Sequence, residues 1–495
     1  MSTHASDIIQ SRAAIADGAG NFTIDVIEVD PPGPGEVRVA IAAAGVCHTD
    51  HASLRWPGPL VMGHEGAGFV ESVGEGVHGL RPGQPVLLNW AIPCGECFQC
   101  GHGAPSLCER THGPDTTHAG SSRAHAGGTR WRGQAIERAF HLGTFADYAL
   151  VRAEALTPLP DRLPPDPACL LGCAVMTGVG SVFNVARVAP GESVAVLGCG
   201  GVGLNVVQGA RLAGAATIIA IDRVAARLGR ARELGATHLL QPREDDNAHA
   251  ELIADVLALT DGRGVDHAFE ATGVPALAFL PLRLARNGGN ALQVSGAHGA
   301  GSVELTDFFW NKRYLAPLYG GCVPARDFPR LFGWVETGEL QLASLVSHRY
   351  PLEGLAQAFA DMLAGHSAKG VLRIAPIAAT LPVGAAEAAT GISAAAPPAA
   401  PAATHAAPLP LPPPLSGGGL GWGPGSSPRN AGAHAPPSQP SPASGGRGQA
   451  QSAAIRRLLP PLLLGRTSHA ASVTDDPSAT RAWRSPFDKE RMPTT

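Results

Sequence analysis

The 495-residue chain lacks an excess of either charge. Thirty-seven lysines and arginines stand against 41 aspartates and glutamates, a formal net charge of -4, and no basic stripe runs through the body. Nucleic acid and other polyanions are therefore not expected as partners. No apolar run reaches membrane-spanning length: the alanine-rich stretch after residue 376 is broken by prolines, and "LLPPLLLG" is too short. A membrane partner is not expected either. The start, "MSTHASDIIQSRAAIADGAG", has no basic region followed by an apolar core. The expectation is a soluble cytoplasmic protein in a reducing compartment, where disulfides are rare. Internal repeats are absent as well.

Cysteines are few, nine in all, yet four of them crowd into "PCGECFQCGHGAPSLC" as Cys94, Cys97, Cys100 and Cys108. Two C-x-x-C steps and a fourth cysteine can wrap one tetrahedral Zn²⁺ from a single loop. Four thiolates fill every coordination position, so such a site is structural. The composition then changes near Pro376. Twenty of the 44 prolines lie in 377–495, which holds a single lysine, Lys489. That segment cannot bury enough apolar surface to offset its chain entropy and is expected to be a disordered Pro/Ala/Gly/Ser-rich tail. The working protein is residues 1–376.

The body has two grammars. Residues 21–90 alternate short β-type runs, such as "FTIDVIEV" and "EVRVAIAAAGV", with glycine and proline. This predicts an antiparallel, barrel-like domain. From about 191 the order becomes strand, glycine turn, helix, strand, which implies a parallel sheet with helices on its faces. After about 318 the runs "DFPRLFGWVETGEL" and "LEGLAQAFADMLAG" predict helices, and "GVLRI" a strand. Within "VAVLGCGGVGLNV" the glycines Gly198, Gly200 and Gly203 follow an apolar strand and open a helix, the context in which this spacing binds a dinucleotide. The glycines admit a pyrophosphate to the helix N-terminus. Asp222, at the end of "IIAID", suits ribose hydroxyls and repels a 2′-phosphate, favouring NAD over NADP; Arg223 beside it argues the other way. Gly201, Val202 and Arg227 complete the candidate cofactor set.

Three separated pieces remain: "GVCHTDH" with Cys47, "GHEGAG" with His64 and Glu65, and "LLGCAVMTG" with Cys173. Each alone could be a buried core residue. Together a Cys/His/Cys set leaves a fourth zinc position open, the catalytic arrangement, with Asp50 and Glu65 as charged neighbours and Asp50 orienting His64.

Taken in order, "CHTD", "GHEGAG", the four-cysteine loop, "LLGCAVMTGVGSVFNVARVAPGESVAVLGCGGVGLNV" and "ELGAT" resemble the zinc-dependent alcohol dehydrogenases of the medium-chain dehydrogenase/reductase superfamily, nearest its class III-like branch. The resemblance covers roughly 20–376. It implies an α/β protein with a GroES-like β-barrel catalytic domain (1–172 and the return segment 318–376) around a Rossmann doubly wound parallel-sheet domain (173–317). It also implies two Zn²⁺ per subunit, NAD, and a homodimer or homotetramer acting on a small alcohol or aldehyde. By similarity Cys47, His64 and Cys173 fall on the catalytic zinc ligands and the clustered cysteines on the structural zinc. Thr49 matches the hydroxyl that takes the alcohol's proton, His48 a pyrophosphate contact and Thr177 a nicotinamide neighbour. Lys369 stands where many relatives place a phosphate-binding arginine. Trp90, and with it Trp56, matches the substrate-pocket wall and would narrow the site towards unbranched primary or flat aromatic alcohols.

The chain departs from that pattern in two places. Relatives with a histidine at the end of the proton relay carry it five residues after the first zinc cysteine. Here that position is Ala52, and His51 comes one early, so the relay is expected to end in water with His51 as the rival. The segment before "GHE" is the short "ASLRWPGPLVM" rather than a longer acidic loop, which speaks against a glutathione adduct as substrate. The competing readings are an S-(hydroxymethyl)glutathione dehydrogenase, a non-catalytic nucleotide-binding relative, and a zinc-ribbon interaction module joined to a scaffold tail.

Overall fold

The computed structural model describes residues 7–112, 128–243, 249–365 and 368–374; the expected tail 377–495 lies outside them. Strands Ile9–Ala16 and Phe22–Val29 form an antiparallel hairpin, with Ala16 opposite Phe22, inside a six-stranded sheet. A second sheet of seven strands is built around Glu36–Val46. That strand is buried at Val37, Val39, Ile41, Ala43, Ala44 and Val46, because it has antiparallel partners on both edges and side chains packed on both faces. Its partners are Gly66–Val73, Tyr148–Arg152 and, at its far end, Gly370–Arg373. The last described strand thus lies beside one of the first, with Gly370 opposite Val46.

Between those two visits the chain builds a parallel sheet. Its strands are, across the sheet, His238–Leu240, Thr217–Ile221, Ser193–Leu197, Val265–Glu270, Ala285–Gln293 and Arg313–Leu315, and every neighbouring pair is parallel. In chain order this is 3-2-1-4-5-6, the doubly wound arrangement whose crevice opens where the order reverses. The runs "SVAVL" and "TIIAI" are continuously apolar because helices cover both faces of such a sheet. The helices expected near the C-terminal end of the body are Pro324–Glu336 and Leu355–Leu363.

The two halves are joined by Ala174–Gly180, a helix buried at every position. Among the described residues no single helix is long and apolar enough to cross a membrane. Pro165–Gly172 with Ala174–Ala186 passes that test only as a bent pair, and its apolar side chains belong to the main core. Asp166 ties the return strand down, accepting from Arg349 and Arg373 at 2.8 Å each.

Candidate active site and metal centres

Cys47 ends one strand and caps a helix. It precedes His48–Ser53 with extended φ/ψ of −127° and 155°, and its N–H donates to Asp50 Oδ2 at 2.9 Å. The other oxygen of Asp50 lies 2.7 Å from His64 Nδ1. One buried carboxylate therefore fixes the helix that presents Cys47 and the imidazole that faces it, leaving Nε2 of His64 free to ligate. The donor atoms of Cys47, His64, Glu65 and Cys173 all lie within 4.8 Å of one another. Burial works against a charged imidazole, but Asp50 and Cys47 outweigh it and raise the His64 pKa well above its ordinary value. Cys47 is pushed well down, chiefly by a hydrogen bond from Cys173, while the Cys173 thiol is pushed well up by the same bond and by burial. The environment thus favours a thiolate at Cys47 and a thiol at Cys173. Two sulfurs and an imidazole nitrogen this close together fit zinc with one position left open.

Glu65 is wholly buried, and its Oε1 meets Lys369 Nζ at 2.5 Å. Burial lifts this carboxyl to about 7 against the pull of the lysine. Gly45 makes the room: a Cβ there would come 2.2 Å from Glu65 Oε2. Removing one partner of such a buried pair leaves an uncompensated charge, a cost of about 3–5 kcal/mol. Lys369 stands where the resemblance implies a phosphate ligand. Its ammonium is held by Glu65 and by Val46 O at 3.1 Å, because the return strand points it inwards.

The fingerprint fits a dinucleotide on steric grounds. Gly198 has φ of +89°. A Cβ on Gly203 would meet Gly198 O at 1.7 Å, so no side chain is tolerated where the helix packs on the strand. Gly200 has nothing within 4 Å of where its Cβ would be, which leaves the backbone open to a ligand. A Cβ on Gly201 would reach Lys369 Cδ at 3.3 Å and Ala174 Cβ at 3.7 Å. The opening turn of Gly201–Leu212 thus abuts the residue after Cys173 and the partner of Glu65. Val202 is half-buried and Thr177 buried on Ala174–Gly180. Asp222 spends both oxygens locally, accepting from Cys199 N–H at 2.7 Å and Val224 N–H at 2.8 Å, with Arg227 at 3.8 Å. Arg223 beside it is exposed.

Thr49 Oγ1 lies 3.7 Å from Cys47 Sγ. His48 is exposed. The His51 ring packs edge-on against Phe359, 5.4 Å away, in the helix of the return segment. Trp56 and Trp90 come together through a residue that sequence reasoning missed. Phe140, at φ +53°, sits 4.8 Å from the His64 ring, 5.5 Å from Trp56 and 5.2 Å from Trp90. Nothing in "ERAFHLGTF" marks it, since a lone phenylalanine carries no spacing.

Cys94, Cys97, Cys100 and Cys108 form the second donor cluster, again within 4.8 Å. Their sulfurs accept backbone N–H groups: Cys97 N to Cys94 Sγ at 3.3 Å, Cys94 N to Cys108 Sγ at 3.4 Å, and Glu109 N to Cys97 Sγ at 3.4 Å. Such donors favour thiolates. At Cys97 they overcome burial and bring the thiol down to about 6, whereas burial takes Cys100 up to about 12. Four sulfurs with no other donor fit a closed zinc shell. The remaining cysteines, Cys169, Cys199 and Cys322, are buried in the apolar core.

Residues 33–161 match the alcohol dehydrogenase GroES-like domain, and residues 201–337 match the zinc-binding dehydrogenase family. The chain is 36% identical over 377 residues to an S-(hydroxymethyl)glutathione dehydrogenase of Synechocystis sp., covering 74% of this chain and all of that protein. Among solved structures, an alcohol dehydrogenase zinc-binding domain protein from Burkholderia ambifaria superposes with a TM-score of 0.67 at 32% identity. It covers 74% of this chain and 100% of its own. Benzyl alcohol dehydrogenase from Acinetobacter calcoaceticus superposes at 0.65 with 29% identity and the same coverage. The fold is accordingly a GroES-like domain with a Rossmann-like coenzyme domain. With its donor clusters and glycine fingerprint, the chain belongs to the zinc- and NAD-dependent alcohol dehydrogenases of the medium-chain dehydrogenase/reductase superfamily.

Proposed function

We propose that this protein oxidises primary alcohols, aliphatic or aromatic, to aldehydes with NAD, reversibly: RCH₂OH and NAD⁺ give RCHO, NADH and a proton. The observation that carries this is the convergence of Cys47, His64 and Cys173 beside the opening turn of the glycine fingerprint. In this reading those three residues hold the catalytic zinc and Cys94, Cys97, Cys100 and Cys108 the structural one. Residues 1–172 and 318–376 form the catalytic domain and 173–317 the coenzyme domain. When bound, zinc supplies the Lewis acidity that makes an alcohol acidic near neutral pH, and NAD supplies the hydride acceptor.

The chain's own residues do the rest. Asp50 holds His64 in one tautomer, with its Nδ1 occupied. Thr49 receives the alcohol's proton at Oγ1 and passes it towards solvent, since Ala52 carries no base and His51 is turned to Phe359. The Gly198–Gly203 turn cradles the pyrophosphate on the helix N-terminus, Thr177 lies by the nicotinamide, Arg227 adds positive charge at the coenzyme's edge, and His48 offers a hydrogen-bonding contact to the pyrophosphate. Trp56, Trp90 and Phe140 exclude water and admit a narrow or flat substrate. The protein would act as a homodimer or homotetramer, as the resemblance implies.

The names of the relatives favour a second reading, S-(hydroxymethyl)glutathione as substrate. Against it stand the aromatic walls and the short segment before His64. NADH formation with ethanol, hexanol, benzyl alcohol and formaldehyde–glutathione decides between them. A kcat/KM highest for benzyl alcohol or hexanol is the expected result. Activity confined to the glutathione adduct would overturn the first reading.

A further inference from the structure

One side chain joins the metal cluster to the pocket wall and has no part in either reading so far. Tyr319 is buried, yet its φ is +53°, in the left-handed region where a bulky residue is strained and persists only when its surroundings over-determine it. It opens the turn Tyr319–Gly321, which the chain drives against the helix that follows Cys173: a Cβ on Gly320 would stand 2.5 Å from Met176 O. Its ring stacks on Trp90, with centroids 3.8 Å apart and planes at 22°. Its hydroxyl donates to the carbonyl of Gly172. Gly172 is itself wedged, since a Cβ there would come within 2.5 Å of Leu88 O, and it is the residue immediately before Cys173.

We propose that Tyr319 is a positioning residue, which sets the Cys173 sulfur through the Gly172 carbonyl and the substrate wall through Trp90. The inference rests on the reading of Cys47, His64 and Cys173 as metal ligands. A phenylalanine could stack on Trp90 equally well, so the hydroxyl alone accounts for the hold on Cys173. Burial, with Cys322, Cys173 and Glu65 nearby, raises the phenol well above its ordinary value and keeps it a donor across the working pH range. A buried carbonyl that loses its donor lets the peptide turn, and the adjacent sulfur moves with it.

The test compares Tyr319→Phe with the wild type in full-length, zinc-loaded protein. Zinc loss to a chelator, the thiolate-to-metal charge-transfer band after cobalt substitution, and the KM values for NAD and alcohol are measured. For the variant, one metal per subunit should leave about 10-fold faster, as when a residue that orients a ligand is removed. The cobalt band should shift, kcat should fall by a similar factor, and the KM for NAD should stay unchanged. Zinc loss and cobalt spectrum equal to wild type would overturn the proposal, whatever happens to the melting temperature. Trp90→Phe keeps the hydroxyl bond and is expected to retain zinc like wild type while its alcohol KM changes; rapid zinc loss there would also overturn it. A Tyr319→Phe chain that cannot fold would give the hydroxyl a folding role instead, against the proposal. If wild type binds cobalt only at the four-cysteine loop, the functional reading fails too. If wild type binds two and the variant matches it, only the role of Tyr319 falls.

Discussion

The two donor clusters reach the same compactness by opposite routes. Cys94, Cys97, Cys100 and Cys108 come from one loop, and their sulfurs are held by backbone N–H groups of that loop. Cys47, His64 and Cys173 come from a strand end, a turn and the start of a buried helix, and are held by side chains: Asp50 on His64, Lys369 beside Glu65, Tyr319 behind Gly172. The loop cluster needs little beyond its own backbone. The second depends on the whole body, down to a lysine just before the last described strand. A set closed by four thiolates has no vacancy for chemistry, whereas three donors in a buried pocket leave a place for substrate. On the proposed reading, the structural site is local, while the catalytic one is assembled from segments far apart in the chain.

Removing a donor from the buried set should have the largest effect. His64→Ala should lower kcat/KM by at least about 10³-fold, because metal polarisation supplies several kcal/mol of transition-state stabilisation. The four-cysteine site should keep its zinc, and metal content beside turnover checks both. Loss of both metals would show that the clusters are not independent. A smaller effect is expected one step away from the donors. Asp50→Asn keeps the shape but weakens the hold on Nδ1, and should cost about 10–100-fold in activity or metal retention. Wild-type zinc retention and turnover in that variant would mean that packing alone orients the imidazole. The smallest effect on chemistry should come from the loop. Cys97→Ser should lower stability by on the order of 4 kcal/mol, the scale of a lost metal site. Turnover per subunit loaded at the buried site should change by less than about threefold, well under 1 kcal/mol of transition-state stabilisation. Normal thermal stability with lost turnover would reverse the two roles.

Local features are readable from the residues alone. The four clustered cysteines declare a tetrahedral site because their spacing lies within the reach of one loop. Gly198, Gly200 and Gly203 declare a nucleotide turn by their spacing after an apolar strand: Gly198 and Gly203 answer steric demands of neighbouring backbone, and Gly200 leaves the approach open. Alternating and continuous apolar runs announced the antiparallel and the parallel sheets, since side-chain period reports how many faces are covered. Cys47, His64 and Cys173 carry no mutual spacing; their residue types together suggest a catalytic zinc set, and the resemblance supports joining them. Tertiary structure alone decided that Phe140 and Tyr319 join Trp56 and Trp90 around them, and that Lys369 turns its charge to Glu65. A phenylalanine, a tyrosine or a lysine far away in the chain has no periodic signature. Its role is set by which surface the return of the chain packs it against. The pairing of Gly370 with Val46 makes that choice, placing Lys369 over Glu65 in the space that Gly45 leaves open.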